Sequence, residues 1–358
     1  CQRPVGSNMV NLEYTYLSAH SKINPKLKGI WKSVGNGYLL DANGDSIVLY
    51  SFTKSFCYQE KNDYLVGLLN SESQFLLTKD TLNLFLTDFG DNTTSLQVKK
   101  DFVRISELPN QCKSYSDLIN ESAPLLFNLF IETAKENYAF SPQRNLNWDS
   151  LKNYYQDKLS VASTHENLFE ILGEVVTRTK DHHTKIIAKD GRKLQYSSTP
   201  SANMVIDSFN HQTVEKDLDK FFQSFFQHNY QNISESLLQG KGYKAANGQL
   251  EWGRLTESIG YLNVNSFSGF GNGISRKHQI DTIVTSMKYI IPELQNTDAL
   301  VVDISFNFGG FDGSVFTIAS FFTDQPIYAY TSQVYQNGTF HNESEVRIIP
   351  AETETYTK

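Results

Sequence analysis

The sequence predicts an α/β core preceded by a β-rich region, and three observations carry that prediction. Residues 259–267 (IGYLNVNSF) and 299–304 (ALVVDI) read as strands flanking a helix in which Ile280, Ile283, Val284, Met287, Ile290 and Leu294 keep the 3–4 spacing of one buried face. Such an order is a βαβ unit, whose strands should run parallel and whose crossover should be right-handed. Well ahead of it, residues 27–103 alternate short apolar or aromatic runs with turn residues, and Gly35-Asn36-Gly37 and Asn43-Gly44-Asp45 are hairpin signals. Amphipathic helical stretches lie between the two regions.

Taken in order, residues 1–24 read as a polar N-terminal tether, 25–115 as a small antiparallel barrel or sandwich, and 116–190 as a helical segment. In the helical segment Leu125, Leu126, Leu129 and Phe130 are spaced for one face, as are Trp148, Leu151 and Tyr155. Ser163 and Glu166 have the spacing of a capping box, ahead of an apolar stripe of Leu168, Phe169, Leu172, Val175 and Val176. Residues 191–250 contain an aromatic helix with Leu218, Phe221, Phe222 and Phe225, but no pattern that assigns the whole stretch a fold. Residues 251–358 form the α/β core: the βαβ unit, a helix with Val315, Ile318, Ala319 and Phe322, and a hairpin around Asn337-Gly338.

With 358 residues the chain is long enough for two or three domains with full cores, and 39% hydrophobic and 20% charged residues are ordinary globular values. A net charge of −7 without a basic stripe argues against nucleic acid as a partner. No apolar run approaches the roughly 20 residues that span a bilayer. Cys1 opens the chain and is followed by a short polar stretch, CQRPVGSN. One reading is a lipid-bearing cysteine left by signal removal, as in bacterial lipoproteins, which sets the expectation of an exported, periplasmic or membrane-anchored protein; the other is a cloning boundary. Export would permit a Cys57–Cys112 disulfide, with two buried free thiols the alternative.

Two stretches can carry chemistry. The strand 299–304 runs into SFNFGG, so that Asp303, Asn307, Gly309 and Gly310 form a polar, flexible turn at a strand's carboxyl end, where open α/β sheets bind ligands. Adjacent glycines let backbone N–H groups face a cleft unobstructed, as an oxyanion hole requires, and Asn307 can brace them. A tight strand-to-helix connection accounts for the same residues. The second stretch is DHHT, Asp181 to Thr184, at a helix end. A histidine held there by polar neighbours is suited to accept a proton near neutral pH. Adjacent histidines do not share a helix face and no cysteine lies nearby, so neither a metal nor another cofactor is expected.

The ordered set ENYAFSPQRNLNWDSLKNYYQDKL, LFEILGEVVTRTKDHHTKI, IGYLNVNSFSGFG and LVVDISFNFGGFDGSVFTIASFF resembles the tail-specific, or C-terminal-processing, serine peptidases. It is most similar to their tricorn-core-like branch, without an obvious PDZ insert, and the resemblance covers about residues 134–358. It implies a crotonase-like (ClpP/crotonase) α/β core, His183 as general base with His182 beside it, Gly309 and Gly310 as oxyanion-hole glycines, and Asp303 and Asn307 in support. His183, rather than His182, is then expected to face the glycines. Ser305 stands where the family's motif has Arg, and Phe308 where Gly is frequent.

The resemblance implies a serine-type endopeptidase acting on peptides or unfolded protein ends through an acyl-enzyme, with a homo-oligomer allowed. The alternatives are a non-catalytic protein binding a peptide or apolar ligand on the same scaffold and, less well matched, an acyl-CoA enzyme of the wider fold. In the family the nucleophilic Ser follows a further strand after the hairpin, whereas here the hairpin leads to ETYTK. Ser305, Ser314 and Ser320 lack that strand-to-helix context. The expectation is therefore a core incomplete at its C-terminus, inactive as it stands, with its nucleophile beyond Lys358 and one sheet edge open.

Overall fold

A computed structural model of the chain describes residues 15–16, 18–19, 22–60, 74–85, 100–113, 121–188, 190–196, 200–212, 214–273, 275–307 and 309–357. Phe308 lies outside them, as does most of the proposed tether with Cys1. The described residues fall into two compact units: one holds those between 15 and 172 together with 331–344, the other holds 173–330 and 345–357.

The first unit is built on an antiparallel sheet. Its strands are β1 (Thr15–Tyr16), β4 (Ile30–Ser33), β5 (Tyr38–Asp41), β6 (Val48–Phe52), β7 (Cys57–Gln59), β8 (Gln74–Leu77), β9 (Thr81–Phe85) and β10 (Lys100–Ile105); a small hairpin, β2 (Ser18–Ala19) and β3 (Lys22–Ile23), pairs apart from it. The order β1-β8-β9-β10-β4-β5-β6-β7 is open, since its end strands do not pair with each other among the described strands. The sheet thus reaches further toward the N-terminus than the polar composition of residues 1–24 suggests. Alternation along the strands buries Trp31, Leu40, Leu82, Leu84 and Phe102 on a common core. The Trp31 indole N–H donates to the Leu27 carbonyl at 2.8 Å, so the buried ring leaves no polar atom unpaired. Cys57 of β7 is disulfide-bonded to Cys112, which resolves the choice left open by the sequence.

Helices α1 (Ala123–Asn137), α2 (Trp148–Gln156) and α3 (His165–Thr179) follow. The face α1 buries is Ala123, Phe127 and Ile131 with Leu129; Leu125, Leu126 and Phe130 are only partly covered. Apolar residues surround most of this helix, so spacing alone does not select the buried stripe. On α2, Trp148 and Tyr155 are buried as their spacing predicts. The capping box of α3 sits one residue later than expected, with Thr164 Oγ1 accepting from Asn167 N–H at 3.2 Å and Asn167 Oδ1 accepting from Thr164 N–H at 3.0 Å.

In the second unit, β11 (Lys185–Ile187) and β12 (Lys193–Gln195) form a hairpin. Helices α4 (Pro200–His211) and α5 (Leu218–Gln231) follow, and α5 continues into a π-helical turn, Asn232–Leu237. All but β11 occupy the stretch whose fold the sequence left unassigned; β11 falls at the end of the segment 116–190 expected to be helical. The central sheet then runs β13 (Tyr243–Ala245), β14 (Leu250–Arg254), β15 (Ile259–Val264) and β16 (Ala299–Asp303), in that order. Only the β15–β16 pair is parallel, and α6 (Arg276–Leu294) connects it, as the βαβ pattern requires. Ile280, Ile283, Met287, Ile290 and Leu294 of α6 pack with Leu262, Val264, Trp252 and Phe321 to make the core.

β16 departs from its own composition. Val301 and Val302 are the apolar pattern of a buried parallel strand, yet each is 43% exposed, and Ile304 beyond them is 55% exposed. Hydrophobic content marks this segment as a strand, but among the described strands β16 has β15 on one side only and is an edge of its sheet. Helix α7 (Asp312–Ala319) and the hairpin β17 (Ile327–Gln336) with β18 (Thr339–Ile348) complete the chain, with Asn337 at positive φ in the two-residue turn. Among the described residues no helix is long and apolar enough to cross a membrane.

Candidate active site

The glycine turn after β16 is tied to the end of β15 by hydrogen bonds that begin in the sheet register. Asn263 of β15 stands opposite Asp303 of β16, and Tyr261, two residues earlier on the same face, reaches diagonally so that its hydroxyl donates to Asp303 Oδ2 at 2.6 Å. Asp303 Oδ1 accepts the Ser305 N–H at 2.8 Å. Burial, the largest single influence on Asp303, pushes its pKa up; the Tyr261 and Ser305 hydrogen bonds together outweigh it and hold the carboxyl below its ordinary value. Burial, followed by the bond to this carboxylate, raises the pKa of the Tyr261 phenol. Asp303 is thus a fixed anion at neutral pH that shapes the start of the turn.

Asn307 is the clamp of the turn. Its Nδ2 donates to the Val264 carbonyl at 2.9 Å, and its Oδ1 accepts the Gly309 N–H at 2.7 Å. Beyond it, Phe267 N–H donates to the Gly309 carbonyl at 2.9 Å and Phe311 N–H to the Phe267 carbonyl at 3.0 Å, making a parallel bridge between Phe267 and Gly310. Gly310 has φ +150°, and a Cβ there would lie 2.3 Å from the Phe267 carbonyl carbon, so only glycine fits.

The two glycine N–H groups therefore differ. That of Gly309 is held by Asn307, whereas that of Gly310 donates to no group among the described residues, and both glycines are exposed. A free backbone N–H at a strand's carboxyl end is a ready donor to an anionic oxygen.

The DHHT segment has its own organiser. Asp181 is 5% exposed; its Oδ1 accepts the His183 N–H at 2.9 Å and its Oδ2 the Thr184 hydroxyl at 3.1 Å. His182 is partly buried and packs on the Tyr196 ring with centroids 5.1 Å apart. Its Nδ1 lies 3.1 Å from the Tyr196 carbonyl. A carbonyl only accepts, so Nδ1 carries the proton. The His183 side chain is fully exposed, with Nδ1 3.8 Å from Asp181 Oδ1. The structure thus joins Asp303, Asn307, Gly309 and Gly310 in one hydrogen-bonded turn, holds His183 and Thr184 on Asp181, and sets His182 against Tyr196. Among the described residues neither histidine hydrogen-bonds to residues 303–310.

Sequence reasoning missed Tyr261, whose partner lies 42 positions away, and Gln279, whose Oε1 accepts from Gly269 N–H at 2.9 Å and orders the loop after β15. Nothing in local spacing signals either contact. The serines near the turn are engaged or enclosed. Ser320 donates to the Thr317 carbonyl at 2.7 Å, and Ser314 is 1% exposed with an unpartnered hydroxyl.

β15, α6, β16 and the glycine turn make an α/β unit with a hydrogen-bonded glycine turn at the carboxyl end of β16. The sequence of this region, residues 258–351, matches the model of peptidase family S41, a match over about a quarter of the chain. Among solved structures the chain is similar to a protein of Parabacteroides merdae ATCC 43184 assigned provisionally as a peptidase, at 21% identity and a TM-score of 0.49 over 66% of this chain and 65% of that one. It is also similar to mature CPAF, at 12% identity and a TM-score of 0.33 over 61% of each chain, and to mature CPAF complexed with lactacystin, at 11% identity, a TM-score of 0.32, and 61% and 62% coverage. The chain thus spans just under two thirds of the length of these structures. No curated protein sequence matches it.

Proposed function

We propose that the protein is a serine-type endopeptidase of the tail-specific group with a crotonase-like core, cleaving peptides or unfolded protein ends. The observation that carries this reading is the Gly310 N–H, which donates to no group among the described residues, in the turn after β16 and inside the segment that matches peptidase family S41. In the proposed reaction a serine hydroxyl adds to the scissile carbonyl while His183 takes its proton, and Gly310, with the Gly309–Asn307 clamp behind it, receives the oxyanion. The protonated imidazole then delivers its proton to the leaving amine as the C–N bond breaks. Water, deprotonated by the same imidazole, releases the acid from the acyl-enzyme and restores the hydroxyl. Asp181 fixes the backbone of the base, and Asp303 and Asn307 fix the donor. The Cys57–Cys112 disulfide supports an exported setting, where such bonds persist.

The test is fluorophosphonate labelling of the full gene product, with the modified serine located by mass spectrometry and peptide cleavage measured beside it. Labelling and cleavage that both fall about 10²- to 10⁴-fold in His183→Ala, but far less in His182→Ala, are expected. One observation favours a second reading, a non-catalytic peptide-binding protein: the His183 ring is fully exposed and has no serine partner among its hydrogen bonds. Peptide binding without labelling or cleavage would establish that alternative.

A further inference from the structure

We propose that the rings of Phe225, Phe226, Tyr230 and Phe306 form a side-chain subsite that takes a large apolar, preferably aromatic, side chain of a bound peptide close to the bond that is cut. The inference rests on the reading above for the position of that bond. Recognition of the apolar side chain itself is independent of catalysis.

Helix α5 carries Phe221, Phe222, Phe225, Phe226 and Tyr230, a stripe along one side of the helix. Each of these side chains is only partly buried. Phe225 and Phe226 meet edge to face with centroids 5.6 Å apart, and Phe306 lies 6.2 Å from each and 6.4 Å from Tyr230, again edge to face. Rings in this arrangement present both faces and edges to an incoming aromatic group. Aromatic surface left open to water gains stability when a ligand covers it.

Phe306 links this platform to the glycine turn. It lies three positions before Gly309, a span of at most about 11 Å for extended chain. Asn307 shortens that span, because its N–H donates to the Ile304 carbonyl and its side chain holds Gly309. Phe226 and Tyr230 also line an open cavity of about 650 Å³ whose other walls include Gln223, Gln227, Ser234 and Lys244. Apolar rings beside amides, a hydroxyl and the charged Glu235 and Lys244 suit an extended peptide, with one side chain on the rings and backbone groups on the polar wall. Extended chain rises about 3.4 Å per residue, so the recognised side chain lies within roughly four residues of the cut.

Equilibrium binding of capped peptides that differ at one position, Phe, Leu, Ala or Asp, tests the subsite by fluorescence anisotropy on the intact protein. Cut sites in an unfolded protein substrate are mapped in parallel. The Phe peptide is expected to bind about 10- to 100-fold more tightly than the Ala peptide. Phe306→Ala and Tyr230→Ser should reduce that ratio to about threefold or less, with Phe306→Leu retaining most of it. If Phe306→Ala does not fold, Phe226→Gln replaces it as the second variant. Equal binding of the Phe and Ala peptides, or a ratio unchanged in two folded variants, overturns the proposal. Aromatic-selective binding without cleavage sinks the peptidase reading and leaves the subsite standing. Cleavage with no apolar preference near the cut does the reverse.

Discussion

Replacing Gly310 with alanine places a methyl carbon 2.3 Å from the Phe267 carbonyl carbon, 2.4 Å from its oxygen and 2.7 Å from Ser268 N, all of them backbone atoms that cannot rotate away. Holding a side-chain-bearing residue at φ +150° adds backbone strain of about 1–3 kcal/mol. Relieving the overlap costs roughly another 1–3 kcal/mol as the neighbouring backbone shifts. The shift also weakens the two hydrogen bonds of the Phe267–Gly310 bridge, each worth about 0.5–1.5 kcal/mol. The expected loss for Gly310→Ala is therefore about 3–9 kcal/mol, the upper end applying if both bonds are lost. Gly309 supplies the control: its φ is +90° and no atom lies within 4 Å of a Cβ built there, so Gly309→Ala carries the strain alone, about 1–3 kcal/mol. Urea unfolding measures both, with amide hydrogen exchange over residues 259–322 assigning the loss to this region. Two alanine variants of equal stability, within about 0.5 kcal/mol, would refute the argument that the turn is fixed by its approach to Phe267.

The depressed pKa of Asp303 means that its ionised form stabilises the fold above its unfolded value near 4, and that this contribution fades as pH falls through the lower folded value. Asp303→Asn should therefore narrow its stability gap from the parent protein below about pH 4 in acid titrations, and Tyr261→Phe should move that change to higher pH. Reducing the Cys57–Cys112 bond, which closes a separation of 55 positions, should lower the stability of the first unit by up to about 4 kcal/mol, read as a drop in urea midpoint with dithiothreitol. Thr164→Ala removes the capping hydroxyl of α3 and should cost about 1 kcal/mol, whereas Ser163→Ala should cost less, because its hydroxyl accepts only from Ser160 N–H.

The parts of this fold legible in the sequence are those in which one element's own spacing decides its environment. Ile280, Ile283, Met287, Ile290 and Leu294 announce the buried face of α6 because that helix packs along a single side. Ala299 to Asp303 reads as a strand for similar reasons, but its neighbours do not, so Val301 and Val302 look buried in sequence and lie at a sheet edge in the structure. The glycine turn was visible as a motif. The inequality between its two donors was not, because it depends on which N–H the Asn307 side chain captures. The DHHT segment was likewise visible, while the burial of Asp181 beneath it depends on packing that no local pattern encodes.

The edge position of β16 also bears on how the protein behaves while it folds. Val301 and Val302 on the strand and Ile304 just past it are half-exposed, and among the described strands one side of β16 is unpaired, a template on which another extended chain can add. In sequence, Asp298 just before the strand and Asp303 at its end bracket the apolar run as gatekeepers. β16 also pairs with β15 only after the 34 residues between Val264 and Ala299 have been laid down, so both strand edges stay open during synthesis and refolding. Refolding yield should consequently fall with protein concentration, and a lysine at Val302 should relieve that dependence.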